Sequence, residues 1–437
     1  MINFNLTGEN FNNKKEILKL IVILKLDKEL FKNNNFNDSE FSNNFKYLAN
    51  GIFQAEGHIG GYFINSNSLI FRPMVFIGIT VNVESLKFLV LLNSQFNSKM
   101  QYSIEKLPSS LYFIKLYSRD WNFIINNFIP YFDKLYGDKN KGLKRLEKLY
   151  LLLSEYKERS KLDNFHEINI LIEKVILLAY NLVDNSKRKK LISDYFSLYN
   201  IVSSQTIDFF KIEENKELIN NYFLLGLIFG DGNLYVRIRE SKNLPWFIPN
   251  IRIGQKVTKD NLFFLNNIKN TLFENEISSS VLKISHLYVI SINQIDNVVK
   301  FNKWLPNVSD LWFWKKKEYL ILKKALLLMK LKATYWQKGK EVILDLVYKI
   351  SKYNKPINYW QKIINDYYTS DLKRKNFYYI SLWRNKAWSV KLPIKIKPKV
   401  KFFFFKTHKS KEEALLEAKN YRDQKLNQWL KENKLIK

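Results

Sequence analysis

One short pattern occurs twice in the chain and limits what the chain can fold into. Residues 49–57 read ANGIFQAEG and residues 224–232 read LLGLIFGDG, so that each copy has two small residues four positions apart and ends in an acid followed by glycine. The acids, Glu56 and Asp231, are 175 positions apart. Small residues spaced by four share one face of a helix, where two helix backbones can approach closely. The pattern therefore predicts a pair of helices that joins two halves of one structure.

The order of predicted elements after each motif is also the same. The first motif is followed by β-rich runs, including a strand at 71–83, then an amphipathic helix, a strand at 111–117 and further helices. The second is followed by a strand at 251–254, a helix at 259–272 and a strand at 287–292. Such a repeat of element order is typical of an internal duplication. We predict an α+β fold of two pseudosymmetric α-β-β-α-β-β-α repeats.

The remaining segments complete the predicted organisation. At 378–383, 387–392 and 400–405, β-rich runs predict a small three-stranded sheet, and Ser410 with Glu413 forms a capping box for the helix that follows. The predicted regions are an N-terminal extension at 1–44, the first repeat at 45–159, a charged helical linker at 160–217, the second repeat at 218–352, a connecting segment at 353–376 and a small basic α+β domain at 377–437.

The acid–glycine ending of each motif indicates a chemical site. Glycine commonly ends a helix in a left-handed turn, and a carboxylate at that negative end of the helix dipole costs up to about 1 kcal/mol. Two such carboxylates side by side would repel each other unless a cation lay between them. Oxygen ligands favour Mg²⁺ or Ca²⁺. We therefore predict that Glu56 and Asp231 bind a divalent metal and that the chain hydrolyses phosphodiester bonds.

The composition agrees with a polyanionic partner. The chain has 437 residues, and 71 Lys and Arg against 41 Asp and Glu leave a net charge of +30, which favours nucleic acid as the partner. The absence of cysteine excludes disulfides and thiolate metal sites. Low Gly and Pro content with abundant Lys and Asn also fits an AT-rich organellar genome. Without a signal peptide or a membrane-length apolar stretch, we expect an intracellular, non-secreted protein of a mitochondrion or another organelle.

The two motifs resemble those of the two-repeat LAGLIDADG homing endonucleases and related intron maturases. The resemblance extends to Ile251–Lys256 with Asp260 and to Ile129–Lys134, and covers roughly residues 45–350. It implies that each repeat forms a saddle-shaped antiparallel sheet and that Glu56 and Asp231 bind Mg²⁺, roughly two or three ions, with Mn²⁺ able to substitute. It also implies that the motif helices form the interface between repeats, through Gly51, Ala55, Gly57, Gly226, Gly230 and Gly232.

The resemblance further implies a basic or polar residue near each metal site. By position, Arg119 serves as this catalytic residue in the first repeat, whereas the second offers only Asn293 or Gln294. This difference argues against equal cleavage of the two strands.

One face of each predicted sheet is available for nucleic acid, because the other face packs on helices. Arg237 and Arg239 are two residues apart and hence on one face of a strand. The candidates are Tyr62, Arg72, Lys99, Gln101, Tyr102 and Lys115 in the first repeat, and Tyr235, Arg237, Arg239, Arg252, Gln255, Lys256 and Lys283 in the second.

The C-terminal region resembles the plant ethylene-response-factor type of DNA-binding domain in its WRNKAW (383–388) and EEALLEA (412–418) segments. That resemblance implies a sheet that enters the major groove, with Arg384, Lys386, Trp388 and Lys391 as the residues that contact DNA.

Together these features favour a monomeric, site-specific endonuclease for double-stranded DNA, encoded in an organellar intron and active in intron homing. One alternative keeps the fold and makes the chain an intron RNA maturase with little or no cleavage. The other is a non-catalytic, structural RNA-binding protein such as an organellar ribosome component. The presence of both acids favours the enzyme, whereas the looser first motif favours the alternatives.

Overall fold

The computed structural model describes residues 13–27, 29–30, 38–64, 70–160, 165–183, 217–241, 244–306, 311, 313–351, 353–369, 379–393, 396 and 398–435. The chain divides into two compact units. One unit comprises Met1–Asn233, Arg252–Ser291 and Lys303–Lys315, and the other comprises Leu234–Ile251, Ile292–Asn302 and Lys316–Lys437.

The first unit begins with helix α1 (Lys14–Leu26) and helix α2 (Ser39–Glu56), which carries the first motif. Helix α2 starts inside the predicted N-terminal extension, six residues before the predicted start of the first repeat at 45. The Asp38 side chain accepts hydrogen bonds from the backbone N–H groups of Glu40 and Phe41 and so caps the first turn. Four large apolar side chains of α2, those of Phe45, Leu48, Ile52 and Phe53, are fully buried.

The first repeat forms an antiparallel sheet of four strands with the order β1-β2-β4-β3. On β4, buried Ile114 and Leu116 alternate with the partly exposed Lys115 and Tyr117, so one face is covered and the other, the open face of the first sheet, is accessible. The elements are β1 (Gly57–Phe63), β2 (Phe71–Thr80), α3 (Val83–Gln95), β3 (Gln101–Lys106) and β4 (Tyr112–Ser118).

Helical turns at Trp121–Phe123 and Ile129–Tyr131 flank a π-helical turn at Ile124–Phe128. Two long helices follow, α4 (Gly137–Arg159) and α5 (Phe165–Tyr180), and they pack against each other. Helix α5 lies in the predicted helical linker at 160–217, of which residues 161–164 and 184–216 lie outside the described residues.

The second repeat has the same element order as the first. Its sheet has the order β5-β6-β8-β7. The α+β class and the two α-β-β-α-β-β-α repeats are therefore confirmed. The elements are α6 (Asn221–Asp231), β5 (Gly232–Ser241), β6 (Leu244–Lys256), α7 (Lys259–Glu274), β7 (Ser280–Ile284), β8 (Leu287–Asn293) and α8 (Ile295–Trp304).

The second unit ends in the predicted three-stranded sheet, β9 (Ile380–Trp383), β10 (Ala387–Lys391) and β11 (Val400–Phe404), on which helix α12 (Lys411–Glu432) packs. Ser410 caps α12 as predicted, but Glu413 accepts from the N–H of Lys409 rather than from that of Ser410. Before this sheet lie α9 (Lys316–Lys330), α10 (Gln337–Val347) and α11 (Ile357–Thr369). Within the described ranges, no helix is long and apolar enough to cross a membrane.

Candidate active site

The two motif helices, α2 and α6, form the most extensive contact between any two elements of the described chain. A methyl group added at Gly51 would lie 1.9 Å from the carbonyl oxygen of Phe223, and one added at Gly226 would lie 2.1 Å from that of Leu48. Each glycine thus faces the backbone of the other helix at a distance that excludes any side chain. The small residues of the motif are the physical reason that the helices pack so closely.

The same contact brings the acid-bearing helix ends together. A methyl group at Gly230 would lie 2.2 Å from Cβ of Ala55 and 3.4 Å from Oε1 of Glu56. Gly230 directly precedes Asp231 in the chain. The Glu56 carboxylate therefore lies beside the end of the helix that carries Asp231.

The glycines after the acids differ from the left-handed turns that the sequence predicts. Gly57 (φ −74°, ψ 152°) and Gly232 (φ −80°, ψ 146°) are extended, and each is the first residue of a strand. Their role is steric instead, because a methyl group would lie 2.4 Å from the Phe53 carbonyl oxygen in the first case and 2.5 Å from that of Ile228 in the second. The chain thus passes from helix to strand without a loop.

The two carboxylates are electrostatically strained. Burial raises the pKa of the half-buried Glu56, and the negative charge of Asp231 raises it further. Part of Asp231 is accessible to solvent. The surrounding protein atoms nevertheless shield its carboxyl group from water and so raise its pKa, whereas a hydrogen bond from Gln255 lowers that pKa. Burial and like charge both disfavour the ionised form, so the pair favours a bound cation.

Two lysines that the sequence analysis missed lie at this site. Lys315 Nζ donates to the carbonyl oxygens of Ile228 at 2.7 Å and Gly230 at 3.2 Å, and also to that of Gly232. Lys139 Nζ donates to the carbonyl oxygen of Gly57. Each ammonium therefore compensates the negative end of one motif helix.

Both lysines also lower the pKa of Glu56 and of Asp231. Lys139 and Lys315 are 176 positions apart, against 175 for the acids. Lys139 is the third residue of α4, and Lys315 directly precedes α9. This matching offset was the sequence signal that could have identified them.

The segments that carry the lysines are attached to the motif helices. Before Lys315, the Trp314 indole donates to the carbonyl oxygen of Phe229 at 2.9 Å. Before Lys139, the side chain of Gln54 donates to the carbonyl oxygen of Tyr136 at 3.2 Å and accepts from its N–H at 3.0 Å. An indole makes this attachment in the second repeat and a side-chain amide makes it in the first. In both repeats the bond holds the lysine-bearing segment against a motif helix.

These bonds also explain why the first motif is looser than the second. Asn50 is fully buried; its amide group donates to the carbonyl oxygens of Lys46 and Tyr131 and accepts from the N–H of Lys134. Gln54 is buried to 1% exposure. Four residues apart, the two amides share the helix face that binds the 131–136 segment. The polar residues of ANGIFQAEG are therefore structural.

A further polar residue distinguishes the two halves of the site. The Gln255 side chain, 8% exposed, donates to Oδ2 of Asp231. The segment Ile253-Gly254-Gln255 of β6 aligns with Ile77-Gly78-Ile79 of β2, so the apolar Ile79 stands where the second repeat has glutamine. The second repeat therefore has the additional polar group beside its acid. The expectation from Arg119 and from Asn293 or Gln294 was the opposite, with the better-equipped acid in the first repeat.

Two of the residues expected beside the metal, Arg119 and Gln294, make contacts with other groups. Arg119 is exposed after β4, with its guanidinium 5.2 Å from the ring centroid of Tyr117. Gln294 has a left-handed backbone (φ 71°) and accepts from the Asn297 amide at 3.2 Å. The cations that act on the acid pair are Lys139 and Lys315.

The candidate nucleic-acid contacts of the first repeat are divided between the sheet faces. Arg72 lies directly opposite Tyr62 on the open face of the first sheet. Lys115 lies there as well, where it forms an ion pair of 2.7 Å with Glu105. Tyr102 is on the covered face, because its hydroxyl donates to the Leu89 carbonyl oxygen at 3.4 Å and burial raises its pKa to about 12. Gln101 and Lys99 are exposed.

In the second repeat, Arg237 and Arg239 are both exposed, while Val236, one residue before the pair, is fully buried. The two arginines therefore share one face of β5. Lys256 and Lys283 are exposed as well, whereas Tyr235 and Arg252 are partly exposed.

The four C-terminal candidates do not share one surface. The Trp388 indole donates to the carbonyl oxygen of Lys411, the first residue of α12, at 3.1 Å and so lies on the helix-covered face. Lys391 is three positions from Trp388 and so lies on the opposite face, and it is exposed. Arg384 and Lys386 are exposed in the turn between β9 and β10, with Arg384 5.0 Å from the ring of Trp383.

Within the described ranges, no group of three or more His, Cys, Asp or Glu residues could hold a metal ion. The acid pair supplies carboxylate oxygens alone, and Mg²⁺ characteristically binds through one or two carboxylates together with water and phosphate oxygens. The residues present therefore fit an ion that is completed by its substrate.

No protein-family model and no curated protein matches the sequence. Solved structures do match. The LAGLIDADG homing endonuclease I-LtrWI bound to target DNA aligns with TM-score 0.55 and 18% identity over 71% of this chain and 98% of its own. The meganuclease I-SmaMI bound to uncleavable DNA aligns with TM-score 0.54 and 15% identity over 70% of this chain and 97% of its own. I-SmaMI on uncleaved DNA with calcium ions aligns with TM-score 0.51 and 18% identity over 70% of this chain and 99% of its own. The chain therefore has the two-repeat fold of the LAGLIDADG homing endonucleases.

Proposed function

We propose that the chain is a metal-dependent, site-specific endonuclease for double-stranded DNA. The observation that carries the proposal is the pairing of Glu56 and Asp231 at the adjoining ends of two glycine-packed helices, with Lys139 and Lys315 beside them. A structural neighbour with this fold was crystallised on DNA with calcium ions. The calcium ions present with that neighbour support a divalent metal as the cofactor of this chain.

In this proposal Glu56 and Asp231 would hold Mg²⁺, which would take its remaining ligands from water and DNA phosphate. The metal would activate water and stabilise the leaving oxygen. The raised pKa of each carboxyl means that a cation binds where ionisation is otherwise costly.

The other side chains of the site have separate roles. Lys139 and Lys315 hold positive charge beside the scissile phosphates, where it would stabilise the negative charge that develops during hydrolysis. Gln255 holds the Asp231 carboxylate in one orientation. Because Ile79 cannot do the same, the two strands should be cut at different rates.

The binding surface is the second part of the proposal. Arg237 and Arg239 are both exposed on one face of β5, and we assign them, with the candidates at 72, 115, 252, 256, 384, 386 and 391, to contacts with duplex DNA. We also propose that the chain is a monomer, with its repeats at 45–159 and 218–352, and that it is encoded in an organellar intron. Host-intron RNA is a further partner in this scheme.

A selection experiment identifies the target sequence and tests the proposal together. The full chain in EDTA is used to enrich duplexes from a randomised library, and Mg²⁺ is then added to the bound pool. We expect cleavage at one sequence by the wild type, none by Glu56→Gln or Asp231→Asn, and binding within about threefold of wild type for both variants. Unchanged cleavage by either variant would disprove the assignment.

A matched control is Glu274→Gln, because Glu274 is an exposed acid at the last position of another helix, α7. Its cleavage should equal that of the wild type. Raising the salt concentration should weaken duplex binding steeply, since each neutralised phosphate releases a counterion. A flat salt dependence would mean that the +30 charge reflects codon usage rather than a DNA-binding surface.

A further inference from the structure

The second sheet, like the first, has one face that is accessible to solvent. On β6, the buried Ile251 and Ile253 alternate with the partly exposed Arg252 and Gly254, and Lys256 is exposed. Successive side chains of a strand point to opposite faces. Arg252, Gly254 and Lys256 therefore mark the open face of the second sheet.

Apolar side chains of the β7–β8 hairpin lie on this same face. A methyl group added at Gly254 would lie 3.5 Å from Cδ1 of Leu287 and 4.0 Å from Cγ2 of Val289, which places both residues of β8 on the open face. Across the hairpin, Ile284 lies directly opposite Leu287, and Leu282 lies directly opposite Val289. Directly opposite residues of paired strands share a face. These four apolar residues form the apolar patch.

The apolar patch is accessible to a partner. Leu282 is 54% exposed and Ile284 is 44% exposed, and Leu287 is partly exposed. The open face of a sheet ordinarily carries polar side chains, whereas clustered exposed apolar side chains are typical of a binding site.

The corresponding hairpin of the first sheet, β3–β4, is charged on its open face. Lys115 lies directly opposite Ser103 there and forms an ion pair of 2.7 Å with Glu105. The two repeats therefore present different groups to the two halves of a duplex target.

Thymine is the base that offers an apolar group to such a patch. The major groove of DNA admits a two-stranded β-ribbon, and in that groove thymine presents its C5-methyl group beside the donors and acceptors of the other base edges. The side chains of the apolar patch have no hydrogen-bonding group, so a methyl group is the feature that they can recognise. Arg252 and Lys256, on the same face, supply positive charge for the phosphates that flank the groove.

We propose that the apolar patch recognises thymine methyl groups in the half of the duplex target that the second repeat binds. This inference rests on the proposed endonuclease function and deepens it, because it assigns a sequence preference to named residues. At least one thymine, on either strand, lies where the β7–β8 hairpin meets the major groove.

The test measures binding of the full chain in EDTA to two duplexes of the selected target sequence. One contains thymidine, and the other contains deoxyuridine at every thymidine position, which removes the C5-methyl groups and leaves charge and base pairing unchanged. Burial of one methyl-sized group is worth about fourfold in affinity, so the wild type should bind the thymidine duplex about fourfold more tightly or better. Replacing the thymidines one at a time should confine the loss to one half of the target.

Substitutions in the apolar patch identify the source of this preference. Leu282→Ser and Ile284→Ser should each reduce the preference for thymidine, the double variant should bind both duplexes equally, and Leu282→Met should keep the preference. The matched control is Leu151→Ser, because Leu151 of α4 is also a leucine with 54% exposure. Its preference should equal that of the wild type.

Four outcomes would overturn the inference. Equal affinity of the wild type for both duplexes would disprove it and leave the endonuclease proposal intact. A preference retained by the double variant would exclude the apolar patch as its source. A wild type that sediments as a dimer, beside a monomeric double variant, would assign the patch to contact between copies of the chain. Failure of the wild type to bind any duplex would disprove the endonuclease proposal, and this inference with it.

Discussion

Burial raises the pKa of Glu56, and the negative charge of Asp231 raises it further, although the two residues come from different repeats. Close packing at Gly226 and Gly51 forces this approach, because it leaves no room for side chains between the helices. The like charges are therefore kept together by the packing of the fold and not by an interaction of their own. A carboxylate pair of this kind is suited to bind a cation.

Glu56→Gln should stabilise the metal-free protein at neutral pH. Because the pKa of Glu56 is raised in the folded state, its ionisation costs stability above that pKa, and the cost disappears as the pH falls below the unfolded value of about 4.3. Chemical denaturation in EDTA should show the variant to be the more stable at about pH 7.5, with the difference vanishing near about pH 4.

In Mg²⁺ the wild type should be more stable than Glu56→Gln, the reverse of the order in EDTA. At a hundred times its dissociation constant, the ion should stabilise the wild type by about 2.7 kcal/mol and the variant much less. Glu274→Gln, at the end of α7, should respond to Mg²⁺ like the wild type. Equal stabilisation of the wild type and Glu56→Gln would argue against a metal at this carboxylate.

Gly226→Ala should disrupt the pairing of the motif helices. The new methyl group would lie 2.1 Å from the carbonyl oxygen of Leu48, and the helices would have to separate. Overpacking a core typically costs about 1–3 kcal/mol or more. Gly254→Ala is the matched control, because its methyl group would meet Leu287 Cδ1 at an ordinary 3.5 Å. Urea unfolding should show a large loss for the first variant and little change for the second.

Gln255→Leu should alter the ratio of the two strand-cleavage rates. It removes the hydrogen bond that orients Asp231 and lowers its pKa, while the Glu56 half already has Ile79 at the aligned position. Loss of that bond raises the pKa of Asp231, so the acid limb of the cleavage profile moves to higher pH. A duplex labelled on both strands measures the two rates separately.

Ile79→Leu is the control for this experiment, since it keeps an apolar residue in the first repeat. Its strand ratio should equal that of the wild type. Equal slowing of both strands by Gln255→Leu would show that Gln255 supports the whole site rather than one half.

His408→Gln should destabilise the small C-terminal domain (377–437) mainly at low pH. A hydrogen bond to the carbonyl oxygen of Phe404 and another to Glu417 raise the pKa of His408. Because the pKa of His408 is higher in the folded state than in the unfolded state, its protonation stabilises the fold. This stabilisation is fully present below the unfolded pKa of about 6.5 and is lost as the pH rises through the folded pKa. Denaturation at about pH 5.5 and about pH 9 should therefore show a difference only at the lower pH.

His286→Gln offers a comparison, because His286 is exposed in the turn before β8. It should leave the stability unchanged at both pH values. If His408→Gln cost the same at both, the contribution of His408 would be packing rather than charge.

Much of the fold could be predicted because its signals are local. The motif helices, the strand periodicity and the three-stranded C-terminal sheet all follow from neighbouring residues. The glycines after the acids were interpreted through a local rule, and that interpretation was wrong: Gly57 and Gly232 are needed for close approach to Phe53 and Ile228 rather than for a left-handed turn.

The candidate site was predicted only in part. Glu56 and Asp231 belong to a recognisable motif, whereas Lys139 and Lys315 are two lysines in a chain with 71 Lys and Arg residues. Nothing in their immediate surroundings distinguishes them. Arg119 is predicted only from its position along the chain, and in the structure its guanidinium lies 5.2 Å from the ring centroid of Tyr117.

The sequence by itself determined the two repeats, the pairing of glycine-bearing helices and the acids at their ends, because the spacing of residues along a helix decides which of them share a face. Only the tertiary structure decided which cations lie beside those acids, that Gln255 supports one half of the site while Ile79 occupies the other, and that the apolar patch lies on the open face of the second sheet. These relationships join residues far apart in the chain, and packing and strand register, rather than local spacing, bring them together.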